Sequence, residues 1–235
     1  MKVIGIKHEV KGAYALNDYF KKFEIAMQEA QESVKNLDVA VGPDYSLVSY
    51  LDRDNDLIDF SKNNLTIEAF RKMSSRFSGT LLIPGTYFHK ENGEISLCAP
   101  IFLNGKLEKE MYKETDASEA NIAFRNGLIY KRGDSNLNHI KHLGKTIAIE
   151  ICRDQGKQII PKDTFLEVIL AYDNNAGFGW GALGTNRNVK RHKLIVNGYS
   201  KDKDSRLVNF QDRRNNEDFV KPLIDSPNFS VFNLR

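Results

Sequence analysis

The sequence has 235 residues, of which 41% are hydrophobic and 28% are charged, as in ordinary globular α/β domains. Its 34 basic and 31 acidic side chains leave a net charge of +3, which is too small to favour nucleic acid or a membrane surface as a partner. Two cysteines are too few for a disulfide framework. The N-terminus turns polar too early for a signal peptide, and no apolar stretch reaches the length of a membrane span. We therefore expect one cytoplasmic domain over residues 1–235.

The first third of the chain is predicted to alternate strands and helices. Short apolar runs predict strands over residues 2–8, 39–42 and 80–85, and apolar residues at helical spacing predict helices over residues 18–35 and 66–77. Asn17 is predicted to cap the first helix, and the acidic stretch 51–64 is predicted to be a loop. The second strand stops at Pro43, which cannot donate to a central strand ladder. Asp44 is therefore expected just past a strand end.

The middle of the chain is predicted to be antiparallel, because Asn92-Gly93 and Asn104-Gly105 are strong hairpin signals. These turns would join residues 86–90 to 95–100 and residues 101–103 to 107–112. A long surface loop over residues 115–136 follows. The remaining predicted elements are strands over 137–142, 145–152, 165–172, 194–197, 206–210 and 230–234, and short helices over 155–163 and 186–191. This order predicts a layered α/β fold with a mixed sheet or two sheets.

The strand over residues 145–152 carries a thiol at its carboxyl end, where α/β proteins form ligand sites. Alternate apolar residues fill one face of this strand: Ile147, Ile149 and Ile151. Glu150 shares the other face with Cys152, and either lines the site or pairs with a basic side chain. Asp154 is predicted to order the following loop by accepting backbone N–H bonds. A free cysteine is most often a small buried hydrophobe, so Cys152 alone does not indicate a nucleophile.

Three chemically complementary groups follow predicted strand ends: Asp44, Lys113 and Cys152. A thiol titrates at about pH 8.5, so at neutral pH it needs a base or a nearby cation to attack. A buried carboxylate can accept its proton, and a lysine can stabilise a thiolate or an oxyanion. This set suits attack on a carbonyl or nitrile carbon, through an acyl-enzyme that water then hydrolyses.

The order of these segments resembles the nitrilase, or carbon–nitrogen hydrolase, superfamily. The matching segments are residues 39–45 (VAVGPDY), 112–114 (YKE), 131–133 (KRG), 149–154 (IEICRD) and the apolar strand 166–172. The resemblance covers residues 2–197. It implies an α-β-β-α sandwich with mixed sheets, no cofactor, a small-molecule substrate and a homodimer. It also implies a Glu-Lys-Cys triad with a second glutamate nearby.

Carried over residue by residue, the resemblance makes Cys152 the nucleophile and Lys113 the oxyanion stabiliser. Asp44 takes the place of the family's basic glutamate, and Glu119 is the counterpart of the second glutamate. The expected activity is hydrolysis of a small amide, with a nitrile as the less favoured substrate. An acyltransferase, in which an amine replaces water, stays open.

Two departures from the family pattern favour a second hypothesis. Asp44 is one methylene shorter than glutamate, and a misplacement of about 1 Å can cost about a hundredfold in rate. After Asn197 the chain becomes polar and charged and matches the family poorly. The alternative is therefore a nitrilase-fold binding or regulatory protein with impaired or no catalysis.

Histidine positions predict no metal site. His139 and His142 are three apart on a predicted strand and would point to opposite faces. The remaining histidines have no cysteine or histidine partner at the spacing of metal ligands: His8, His89 and His192.

Residues 179–184 spell GWGALG, which matches the letters of the dinucleotide motif. The segment lies late in the chain and a loop separates it from the preceding strand, so nucleotide binding is disfavoured. We expect this segment to form a pocket wall with Phe178 and Trp180. Tyr45, Arg153 and Trp180 are predicted to recognise a carboxylate or an aromatic ring on the substrate.

Overall fold

The computed structural model describes residues 1–8, 15–116, 118–154, 160–172, 191–198, 204–210 and 217–234. Three helices are present in these ranges: α1 (Ala15–Ser33), α2 (Asn63–Arg76) and α3 (Glu119–Arg125). The strands are β1 (Lys2–Ile6), β2 (Val39–Val41), β3 (Tyr50–Asp52), β4 (Leu57–Ile58), β5 (Leu81–Ile83), β6 (Tyr87–Glu91), β7 (Glu94–Leu103), β8 (Lys106–Tyr112), β9 (Ile129–Tyr130), β10 (His139–His142), β11 (Lys145–Ile151), β12 (Thr164–Ala171), β13 (Arg191–Asn197), β14 (Asp204–Phe210), β15 (Glu217–Val220), β16 (Ile224–Asp225) and β17 (Phe229–Asn233).

The strands form two large sheets and one small hairpin. The first sheet has the order β16-β17-β1-β2-β5-β7-β6, and β8 and β9 also pair with β7. The second sheet has the order β10-β11-β12-β13-β14-β15, while β3 and β4 pair only with each other. In each sheet the central strands are parallel: β1, β2 and β5 in the first, and β11, β12 and β13 in the second. Their carboxyl ends therefore collect at one edge of each sheet.

The two large sheets pack against each other through their apolar faces. Ile147, Ile149 and Ile151 of the second sheet share one buried cluster with Val39 and Val41 of the first. Strands that are buried on both faces need continuous apolar sequence, which explains the apolar run over residues 168–171 of β12. Burial of this surface is the main favourable contribution to the fold.

Helices α1 and α2 cover the opposite face of the first sheet. Phe23 and Phe70 meet edge to face there, with ring centroids 5.4 Å apart and an interplanar angle of 86°. Together with Met27 and Met73 they pack on outward-facing strand residues such as Leu82. None of the described helices is long and apolar enough to cross a membrane.

Both predicted hairpins are confirmed. Asn92 and Gly93 have φ angles of 49° and 80°, and Asn104 and Gly105 have φ angles of 51° and 79°. Positive φ at both central residues is what the type I′ turn requires. The strand segments predicted separately over 95–100 and 101–103 are one continuous strand, β7.

Three predictions about the loops and caps were wrong. Asn17 lies inside α1, which begins at Ala15. The stretch 51–64 contains the β3–β4 hairpin, and a short 3-10 turn that begins where the Asp59 side chain accepts the N–H of Ser61. The stretch 115–136 contains α3 and β9, because Ile122 and Ala123 give α3 a buried face. The two short helices predicted over 155–163 and 186–191 cannot be compared in full, because residues 155–159 and 186–190 lie outside the described residues.

We expect the core between the sheets to dominate stability. Ile149 is fully buried there, whereas Ile129 is 69% exposed. Ile149→Ala should lower the free energy of unfolding by about 2–5 kcal/mol through lost burial and a residual cavity. The same change at Ile129 should stay within about 0.5 kcal/mol. Urea unfolding monitored by circular dichroism measures both values, and equal losses would contradict the packing described here.

Candidate active site

The end of β2 places a carboxylate in a fully buried position. The chain leaves the strand through Gly42 and Pro43, and Asp44 follows with no exposed surface. Asp44 Oδ1 accepts hydrogen bonds from Thr86 Oγ1 at 2.5 Å and from the Tyr45 N–H at 3.0 Å. Asp44 Oδ2 is buried and has no hydrogen-bond partner among the described residues. One carboxylate oxygen is thus fixed, and the other is left to accept a proton.

Thr86 reaches Asp44 because β5 runs parallel to β2 and ends beside it. The turn after β5 passes through Gly85, which has a φ of 122°. A Cβ at Gly85 would lie 2.4 Å from the Pro43 carbonyl oxygen, so only glycine allows the two strand ends to approach this closely. The glycine therefore positions the threonine that orients Asp44.

Tyr45 connects the Asp44 turn to α3. Its φ of 57° is left-handed, which is unusual for a bulky residue and common at functional sites. The Tyr45 hydroxyl donates to Glu119 Oε1 at 2.7 Å. Its ring lies 5.7 Å from the ring of Tyr172, which follows the end of β12. The phenol therefore holds a carboxylate on one side and meets an aromatic ring on the other.

Lys113 and Glu119 form a fully buried ion pair. Lys113 follows β8, Glu119 begins α3, and Lys113 Nζ contacts Glu119 Oε1 directly. The other oxygen, Oε2, accepts the Ser118 N–H at 3.1 Å. Removal of either partner would leave an uncompensated buried charge.

Gly133 packs directly against the backbone of Tyr112 and Lys113. Its N–H donates to the Lys113 carbonyl at 2.9 Å. A Cβ at Gly133 would lie 2.3 Å from Tyr112 Cβ, so a larger residue would displace the turn that carries the amine. This contact gives a physical reason for the glycine that the sequence match picked out.

Cys152 occupies a strained turn directly after β11. Its φ of 49° is left-handed, and residues Cys152–Asp154 form a 3-10 turn. Such strand-to-turn elbows project a nucleophile from the end of a sheet. The thiol is partly buried, and the backbone N–H of Tyr172 on the neighbouring parallel strand hydrogen-bonds its sulfur.

Asp154 ties this elbow to the lysine segment. Its two oxygens accept the backbone N–H groups of Glu114 at 2.9 Å and Thr115 at 2.6 Å. The sequence predicted that Asp154 orders the loop after Cys152 through backbone N–H bonds. The bonds go instead to the segment after Lys113, so the carboxylate joins two strand ends from different sheets.

Burial and charge set the resting protonation states of the site. Burial raises the pKa of Asp44 from its ordinary 3.8 to about 6, against the opposing effect of the Lys113 cation. Burial and then the Asp44 carboxylate raise the pKa of Cys152 to about 11. Burial lowers the pKa of Lys113, but Asp44 and Glu119 outweigh it, so this pKa lies above its ordinary value. At neutral pH the site therefore contains a carboxylate base, a neutral thiol and an ammonium.

The structure brings together the four predicted catalytic residues: Asp44, Lys113, Glu119 and Cys152. Tyr45 is also at the site, although its hydroxyl binds Glu119. Trp180 lies outside the described residues, as does the side chain of Arg153.

Sequence reasoning missed Thr86 and Tyr172. Thr86 follows the predicted strand over residues 80–85, and Tyr172 is the last residue of the predicted strand over 165–172. Reading the residues at and just past the end of every predicted strand would have found both.

Comparison with solved structures gives the class of the fold, which is that of the nitrilase superfamily. An amidase of this superfamily from Nesterenkonia sp. AN1 has a TM-score of 0.71 at 10% identity, over 100% of this chain and 92% of that one. Nit3 of Saccharomyces cerevisiae, from branch 10 of the superfamily, has a TM-score of 0.69 at 13% identity, over 100% and 89%. The glutamine-dependent NAD(+) synthetase of Cytophaga hutchinsonii has a TM-score of 0.67 at 16% identity, over 99% of this chain and 42% of that one.

These comparisons confirm the predicted α-β-β-α fold class with mixed sheets. No protein-family model matches the sequence, and no curated protein matches it either. The likeness is therefore one of fold, at sequence identities of 10–16%.

The raised pKa of Asp44 predicts a stability cost at neutral pH. Between pH 3.8 and about pH 6, the Asp44 carboxyl is protonated in the folded protein and ionised in the unfolded chain. Stability from this group is therefore present at low pH and is lost as the pH rises through that window. With about 1.4 kcal/mol per pKa unit, Asp44→Asn should stabilise the protein by up to about 3 kcal/mol at pH 7.5.

Urea unfolding of the wild type and of Asp44→Asn at two pH values measures this effect. The difference in stability should appear at pH 7.5 and should be small at pH 4. The exposed Asp54→Asn variant should change stability at neither pH. An Asp44→Asn protein that is less stable than the wild type at pH 7.5 would contradict the desolvated carboxylate described here.

Proposed function

We propose that this chain is a cysteine-dependent amidase that hydrolyses the carbon–nitrogen bond of a small amide. The observation that carries the proposal is the buried Lys113 ammonium, which interacts with two carboxylates and with the Cys152 thiol at once. Burying three ionisable groups beside a thiol costs free energy and contributes little to packing. Clusters of buried ionisable groups with perturbed pKa values are typical of catalytic sites.

The first step is attack by Cys152 on the amide carbon. The thiol is neutral at pH 7 because its pKa is about 11, so attack requires proton removal. Asp44, with a pKa of about 6, is ionised at that pH and offers Oδ2 as acceptor. As the S–C bond forms, the thiol proton passes to Asp44 and the carbonyl oxygen gains negative charge. The Lys113 ammonium stabilises that oxyanion.

The second step releases the amine and the acid. The C–N bond breaks as protonated Asp44 returns its proton to the leaving nitrogen, so ammonia leaves a thioester on Cys152. Water then attacks the thioester while a carboxylate of the site takes its proton. The C–S bond breaks, the carboxylic acid leaves, and that proton passes to the sulfur, which restores the free thiol. Glu119 acts as a positioning residue in this scheme, because its Oε1 binds both Lys113 and the Tyr45 hydroxyl.

The structural neighbours support a small amide as the substrate. Of the Nesterenkonia amidase, a Cys-to-Ala mutant forms a complex with butyramide, and a Glu-to-Gln mutant shows Michael addition of acrylamide at the active-site cysteine. The NAD(+) synthetase neighbour is glutamine-dependent. Butyramide, acrylamide and glutamine are therefore the first compounds to test. Tyr45, Arg153 and Trp180 remain the predicted substrate-binding residues, and the cytoplasmic homodimer remains a prediction of the sequence.

Cys152→Ala tests the nucleophile. Incubation of the wild type with these amides should release ammonia and leave a transient acyl adduct on the intact protein mass. Incubation with acrylamide should add one acrylamide mass. Both signals should vanish in Cys152→Ala, which removes the sulfur without changing the fold. Ammonia release that persists in the variant would contradict the proposed mechanism.

Two replacements of Asp44 test the base. Asp44→Asn should lower kcat/KM by about 10²- to 10⁴-fold, because the side chain can no longer accept a proton. Asp44→Glu keeps a carboxylate but lengthens it past Thr86, so its rate should lie between those of the wild type and the Asn variant. The wild-type kcat/KM should rise with pH through about 6 as Asp44 ionises.

The exposed Asp54→Asn variant serves as the control and should match the wild type in rate and pH profile. A wild-type rate in Asp44→Asn would show that another group accepts the proton. A rate in Asp44→Glu below that in Asp44→Asn would show that geometry, not basicity, limits the site.

A nitrilase-fold binding protein is the second candidate, and the resting thiol favours it. With a pKa of about 11, Cys152 is not a pre-formed thiolate nucleophile. A protein that binds these amides by calorimetry, but forms no adduct and releases no ammonia, would be such a binding protein.

A further inference from the structure

A second group of ionisable side chains lies on the first sheet, on the face covered by the helices. Tyr87 on β6, Cys98 on β7 and Tyr112 on β8 are direct cross-strand neighbours. His89 and Glu110 lie two residues along their strands from Tyr87 and Tyr112, and therefore project from the same face. Cys98 packs with the helix-side cluster, whereas its neighbours in β7 face the core between the sheets.

The polar atoms of this group converge above the Cys98 sulfur. One nitrogen of His89, the sulfur of Cys98 and one oxygen of Glu110 all lie within 4.8 Å of one another. His89 Nδ1 is 3.5 Å from Glu110 Oε1 and 3.3 Å from the Tyr87 hydroxyl. The sequence predicted that His89 has no partner at ligand spacing, but the β6–β7 and β7–β8 hairpins bring residues 89, 98 and 110 together.

We propose that His89, Cys98 and Glu110 bind a zinc ion. A thiolate, an imidazole nitrogen and a carboxylate are the three ligand types that zinc takes in proteins. Zinc bonds of about 2.0–2.3 Å require ligand atoms about 3.5 Å apart, so the distances between the three atoms must shorten by at most about 1.3 Å. Binding replaces the Cys98 S–H proton, which leaves to solvent, and two anionic ligands then neutralise the dication.

Neighbouring tyrosines complete the site. The Tyr112 hydroxyl donates to Glu110 Oε2 at 2.8 Å and so orients the carboxylate through the oxygen that faces away from His89. Outer-shell hydrogen bonds of this kind fix ligand geometry at metal sites. The Tyr87 hydroxyl donates to Glu110 Oε1, and it would give up this bond or become a fourth ligand when the ion binds.

The exposure of the group favours an ion over a substrate. Cys98 has no exposed surface, so its thiol cannot reach a substrate as a nucleophile. The His89 and Glu110 side chains are 34% and 19% exposed. His89 and Tyr112 also line a surface groove of about 240 Å³. A single ion can pass from this groove to the sulfur by displacement of the imidazole and carboxylate above it.

Cobalt substitution tests the site independently of catalysis. The tag-free Cys152→Ala protein has Cys98 as its only thiol, so any thiolate-to-cobalt charge-transfer band must come from Cys98. Titration with Co²⁺ should produce that near-ultraviolet band, and Zn²⁺ should remove it by competition. In the same background, His89→Gln and Glu110→Gln should each weaken Co²⁺ binding at least tenfold.

Two variants control for binding elsewhere. Glu91→Gln removes an exposed carboxylate of the same groove, and His139→Gln removes a histidine of the second sheet. Both should bind Co²⁺ like the background protein. The absence of a charge-transfer band with excess Co²⁺ would overturn the proposal, as would equal affinity in His89→Gln. Because the readout uses a protein without the nucleophile, failure here leaves the amidase proposal untouched.

Discussion

The site depends on two carboxylates that keep the buried Lys113 side chain in its charged form. Lys113 has no exposed surface, and burial alone would push it toward the neutral amine. Glu119 at the start of α3 and Asp44 at the end of β2 reverse that tendency. Their own placement requires the tyrosine, threonine and glycine contacts around them. The turns after β2 and β5 and the first residue of α3 thus place acceptors and their orienting groups around one cation.

The short side chain of Asp44 determines how its carboxylate is held. A shorter side chain cannot reach as far, but it is easier to orient through its own turn and through Thr86. The left-handed Tyr45 lets the backbone N–H and the phenol of one residue serve two different carboxylates. The surroundings of Asp44 therefore hold one of its carboxylate oxygens through two hydrogen bonds.

The sequence revealed the regular part of the molecule better than its irregular part. Strands over residues 39–42, 145–152 and 165–172 were predictable from their apolar runs or apolar alternation, and the Asn-Gly turns define the β6–β7 and β7–β8 hairpins chemically. Helix α3 was missed because its buried side is only a few residues wide. The role of Thr86 depends on two strand ends being adjacent, and the grouping of His89, Cys98 and Glu110 depends on hairpin register. The sequence can mark Thr86 only as a residue after a predicted strand, and no local pattern encodes the hairpin grouping.

Asp154 gives the site a mechanical property. The thiol sits at the end of a strand of one sheet, and the ammonium at the end of a strand of the other. Asp154, two residues past the thiol, accepts two backbone N–H bonds from the residues that follow the ammonium. A sliding of the sheets across their apolar interface would ordinarily separate the two groups. Because Asp154 bonds the segment that carries the thiol to the segment that carries the ammonium, we expect the two groups to move together when the sheets slide. We expect the distance between thiol and ammonium to vary less than the separation of the two sheets.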